Sequence, residues 1–67
     1  MTNALWHYTE GYYKAYTEDI NVRNLIKDSL GYKVCNTYFN PNAWDIVVPS
    51  ERLPEVKHLL RPFEFLK

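Results

Sequence analysis

Most of what specialised chemistry requires is scarce in this sequence. Cys35 is the only cysteine, which excludes an internal disulfide and fits a reducing, intracellular setting. The only glycines are Gly11 and Gly31, too few for a Gly-rich loop that cradles phosphate. His7 and His58 lie far apart, and no Cys/His cluster has metal-ligand spacing, so neither a metal nor a cofactor is expected. No charge of one sign dominates. Acidic and basic residues number eight each, whereas a dedicated nucleic-acid binder usually rests on a basic surface that releases counterions. No apolar run approaches the roughly 20 residues needed to cross a bilayer. The first eight residues, MTNALWHY, lack the basic start and long apolar stretch of a secretory signal, and no Asn-x-Ser/Thr acceptor occurs. The expectation is a soluble cytoplasmic protein with no membrane partner.

What is present is aromatic bulk: two Trp, six Tyr and three Phe in 67 residues. A chain of this length makes one small α+β domain. It buries only about 60% of the surface its unfolded form exposes, so its stability is marginal without a staple. With disulfides and metals gone, dimerisation is the staple left. The clearest element is a helix over residues 17–31. Val22, Leu25, Ile26, Ser29 and Leu30 recur on one face, Thr17 is suited to cap the start, and Gly31 to close the end in a left-handed conformation. Glu18 and Asp19 place negative charge at the positive end of the helix dipole. Residues 12–16 read as a strand. Residues 1–11 contribute either an extra strand, joined by a turn at Gly11, or an extension of the first one.

After the helix come strands over 32–39 and 44–48, joined by Asn40-Pro41-Asn42-Ala43, residues with strong turn chemistry. A turn of all four makes Phe39 face Trp44, Thr37 face Ile46 and Cys35 face Val48. These six then share the helix-covered side, with Asn36, Tyr38, Asp45 and Val47 opposite. Pro49 ends the strand, Ser50 is placed to cap a second helix, and Pro54 confines the regular helix to begin near itself after a 3₁₀ turn. Phe63 and Phe65 alternate with Glu64 as a short last strand. The order resembles the split β-α-β arrangement called ferredoxin-like over residues 12–66. That resemblance implies a four-stranded antiparallel sheet with both helices on one face, and many unrelated functions use it. The expected core comprises Leu25, Ile26, Leu30, Ile46, Val48, Val56 and Leu60.

Catalytic constellations are missing. Cys35, mid-strand and turned to the helices, reads as a small buried hydrophobe, not a nucleophile activated by a neighbouring cation. His58 has no orienting partner, and Glu51 and Glu55 belong to a solvated helix side with Arg52, Lys57 and Arg61. No enzyme is expected. The uncovered sheet face is the candidate binding surface: Tyr12, Lys14, Tyr16, Asn36, Tyr38, Asp45 and Val47. RNA-recognition modules of this architecture stack bases on central-strand aromatics. Here the corresponding strand reads Trp44-Asp45-Ile46-Val47-Val48, and Asp45 on that surface would repel phosphate. The expectation is therefore a protein-interaction or self-associating module. A homodimer is favoured in which Leu5, Trp6 and Tyr8 extend the tyrosine patch and Lys14 meets Asp45 of the second copy. A small ligand or single-stranded nucleic acid on the same face is the alternative.

Overall fold

Residues near the amino terminus, the part least defined by pattern, form a strand in the middle of the sheet. The structure is a computed structural model that describes residues 2–66; the side chain of Ser29, placed above on the helical face, lies outside the described residues. Strand β1 (Asn3–Thr9) turns through Glu10 and Gly11 into β2 (Tyr12–Thr17). Gly11 has a φ of 80°, a left-handed value that a residue without Cβ adopts at little cost. Then follow α1 (Ile20–Asn24), a π-helical turn (Leu25–Ser29), β3 (Val34–Tyr38), β4 (Ala43–Pro49), a 3₁₀ turn (Ser50–Arg52), α2 (Leu53–Leu60) and β5 (Glu64–Leu66).

The five strands make one mixed sheet in the order β3-β4-β2-β1-β5. All neighbours are antiparallel except β1 and β5, which pair in parallel. This corrects the four-stranded antiparallel ferredoxin-like sheet expected from the sequence, because β1 lies between β2 and the last strand. The reason is local. The tight turn at Gly11 returns β1 directly onto β2, and β1 takes the edge that β5 was expected to occupy.

The core lies between one sheet face and the helices. Leu5, Ala15 and Ile46 stand in register across β1, β2 and β4, and they pack with Ile26, Val48, Val56 and Leu60, all fully buried. Two expected core residues differ. Leu30 is half-buried, and Leu25 is exposed. Thr17 does not cap the helix. It remains in β2, fully buried, donating to Asn3 Oδ1 at 2.6 Å, and Asp19 supplies the cap by accepting from Asn21 N at 2.8 Å. The inward stripe is then Val22, Ile26 and Leu30, spaced four residues apart, and Leu25 lies one residue off that line, on the side open to solvent. Gly31 closes the segment at φ 76°, as its position implied.

Pro54 sits in the first turn of α2, behind the 3₁₀ turn, where its missing N–H has no partner to lose. Ser50 makes no capping hydrogen bond there. Across the β3–β4 turn, Thr37 pairs with Trp44 and Asn36 with Asp45, two residues out of the expected register. The turn spans residues 39–42, with Asn40 at φ 56° and Ala43 already in the strand. A two-residue slip preserves the faces. A bulge between Val34 and Asn36 then brings Val34, not Cys35, opposite Ile46 and against the core. Cys35 is consequently exposed, its thiol donating to the Asp45 backbone carbonyl at 3.3 Å, and Phe39 stands out in the turn. Both were expected under the helices.

Candidate functional site

The helices cover one face of the sheet, and the register places all seven candidate residues on the other. Asn36, Asp45, Tyr16, Ala4 and Glu64 form one row across the five strands. The next row is Val47, Lys14, Trp6 and Leu66. Tyr12 and Tyr38 flank these rows toward opposite ends of their strands. The large apolar residues near the amino terminus divide: Trp6 and Tyr8 belong to this face, while Leu5 turns into the core. Trp6, Glu64 and Leu66 were not among the seven. Trp6 was expected only as an extension of the patch in a dimer; the pairing of β1 with β2 and β5 puts it in the same rows and adds Glu64 and Leu66, and Gly11 between two aromatic runs was the signal for that pairing.

Uncovered does not mean uniformly exposed. Tyr8, Tyr12, Tyr38 and Leu66 present 40–52% of their surface to solvent, whereas Ala4, Ala43 and Asp45 are buried. Tyrosine explains the difference, since a large ring can lie over small neighbours and keep its hydroxyl hydrogen-bonded. The Tyr16 and Tyr38 rings are 6.0 Å apart and tilted by 57°. Asp45, the cross-strand neighbour of Tyr16, accepts on Oδ2 from Tyr38 Oη at 2.5 Å and Asn36 Nδ2 at 3.0 Å. Its Oδ1 is buried without a hydrogen-bond partner among the described residues. At 2% exposure, Asp45 is a fixed support beneath the tyrosines and not an accessible charge. The expected contact between Lys14 and Asp45 of a second copy therefore does not suit this geometry.

Both tyrosine hydroxyls are held protonated. The hydrogen bond donated to Asp45, ahead of burial, raises the Tyr38 pKa above its ordinary value. For Tyr16 burial is the larger cause, and the bond its hydroxyl donates to Glu18 Oε2 at 2.9 Å adds to it. Glu18 Oε1 in turn accepts from the backbone N–H of Thr2 at 3.1 Å. Lys14 reaches away from this group, its Nζ 4.2 Å from the centroid of the Tyr8 ring.

Beside Tyr16, the small side chain of Ala4 leaves a hollow of about 330 Å³ lined by Thr2, Ala4, Trp6, Tyr16, Glu64 and Leu66. Its walls are chiefly aromatic and aliphatic, and Glu64 is the one acidic residue of the lining. Among the described residues no three or more His, Cys, Asp and Glu side chains are grouped to hold a metal ion, and no helix is long and apolar enough to cross a membrane. Compared with protein-family models, curated proteins and solved structures, the chain finds no match in any of the three.

Proposed function

We propose that the protein is a non-enzymatic interaction module that meets another protein chain through its uncovered sheet face. The observation that carries this reading is one continuous face on which Trp6, Tyr8, Tyr12, Tyr38 and Leu66 stand at least partly open to solvent, while Asp45 and Glu18 accept from the hydroxyls of Tyr38 and Tyr16 and hold those rings in place. Aromatic side chains with few rotatable bonds are what protein contacts use most, and fixing them beforehand lowers the entropy lost on docking. Nucleic acid fits the same face less well. Asp45, Glu18 and Glu64 lie on or beside it with Lys14 as the one cation its strands carry there among the described residues, a balance opposite to that of phosphate recognition. A cytoplasmic setting belongs to the proposal as well, supported by a free, exposed Cys35 that a reducing compartment would preserve.

A photo-activated benzophenone side chain at position 12 tests the reading, with the same group at His58 on exposed α2 as the control. Irradiation in the expressing cells is expected to give discrete protein adducts from position 12 and none from position 58. Equal labelling from both positions would contradict a dedicated face. Adducts confined to nucleic acid would replace this reading with the nucleic-acid one.

A further inference from the structure

We infer that the partner of this face is a second copy of the chain, docked so that Lys14 of each copy enters the hollow over Ala4 of the other, beside Glu64 and Glu18. The inference rests on the interaction-module reading and names its partner. A twofold contact needs a surface that carries its own complement, because residue i meets j and j meets i. This face has that property. Lys14 on β2 makes no ion pair among the described residues and rests only against the Tyr8 ring. The hollow lies one row away along the strands, about 7 Å, and over toward β5.

The hollow suits an alkylammonium group on three counts. Trp6 and Leu66 offer apolar walls to the lysine stem, Tyr16 adds an aromatic ring to the lining, and Glu64, also of the lining, makes no ion pair among the described residues. Glu18 adds a second negative charge next to Tyr16, its oxygens engaged among the described residues by the neutral donors Tyr16 Oη and Thr2 N. Asp45 is not available for this role, since it is buried and already accepts from Tyr38 and Asn36. Size sets the expected strength. Five strands of up to seven residues span a face of roughly 24 by 23 Å. Because β2, β3 and β5 are shorter than this, two such faces together bury somewhat less than about 1,000 Å², at the low end for a specific complex, so the dimer should be weak and reversible.

Sedimentation equilibrium from low micromolar to millimolar concentration, on the wild type, Lys14→Glu, Glu64→Lys and an equal mixture of the two variants, decides the matter. Thermal melts verify that the variants fold. The wild type is expected to pass from monomer to dimer. Each single reversal should weaken that dimer by about tenfold or more, and the mixture should recover association as a heterodimer. A wild type that stays monomeric overturns the inference, as does a dimer indifferent to both reversals or a mixture no tighter than its components. Cross-links from position 12 to a different protein would leave the interaction module standing after any of these results; their absence too would remove both.

Discussion

Leu5→Ala is expected to destabilise the protein by about 2–5 kcal/mol, enough to leave a domain this small largely unfolded at ordinary temperature. Leu5 is fully buried, stands in register with Ala15 and, through β2, with Ile46, and packs in the cluster that receives Ile26 and Leu60 from the helices. Removing its branched end opens a cavity at the centre of the sheet. Its neighbour in that row, Ala15, carries only a methyl group, which cannot swing in and fill it. Leu25→Ala is the instructive comparison. That residue was expected in the core, but it is 45% exposed, so its replacement should change stability by no more than about 0.5 kcal/mol. Parallel thermal or urea melts of the two variants separate the cases. Equal losses would mean that the phase of the α1 segment is wrong.

The second large effect belongs to a polar side chain. Asn3 ties three elements together: its Oδ1 accepts from the buried Thr17 hydroxyl, and its Nδ2 donates to the carbonyl of Leu60 at 2.7 Å and more weakly to that of Pro62 at 3.3 Å. The Leu60 carbonyl closes α2, where helix ends leave acceptors unpaired, and this bond aims the chain so that β5 can run alongside β1. Asn3→Ala removes the partner of a hydroxyl and of a carbonyl at once, and neither regains water without opening the structure. A loss of about 2–4 kcal/mol is expected from the two orphaned groups together. Hydrogen exchange should report it first in β5 and the end of α2. A melting temperature equal to wild type would show that the tie is not part of what holds the carboxyl-terminal strand.

These two residues also show what was legible beforehand. Hydrophobic spacing identified Ile26, Val56 and Leu60 as core, because helices repeat their faces on a period short enough to read locally. Pro54 and Gly31 marked helix boundaries for equally local reasons, a missing donor and a left-handed φ. The position of β1 was not local. Nothing in residues 3–9 says which edge of a sheet they join, and Asn3 reads as an ordinary polar residue until Leu60 is brought beside it from the far end of the chain. Thr17 was misread for a related reason. A threonine before a helical pattern is an apt cap, but the cross-strand partner Asn3 held its hydroxyl and Asp19 took the role. Of the candidate site, the alternation in β2 and β4 correctly assigned Tyr12, Lys14, Tyr16, Asp45 and Val47 to one side, and a register slip of two residues spared Asn36 and Tyr38 because strands repeat with period two. What alternation could not show was depth. It made Asp45 a surface charge, whereas the tyrosines beside it and the donors on Oδ2 make it a buried support.

The claim on which the account turns is that a second copy covers the tyrosine face, and Trp6 reports on it directly. Trp6 lies half-buried on that face, while the other indole, Trp44, is buried under Arg23 on the helix side. In a Trp44→Phe variant, verified to melt as the wild type does, Trp6 is the sole tryptophan. Its emission is expected to move to shorter wavelength as concentration rises from micromolar to millimolar, with the same midpoint as the change in mass. An emission maximum that does not move over that range would contradict the account.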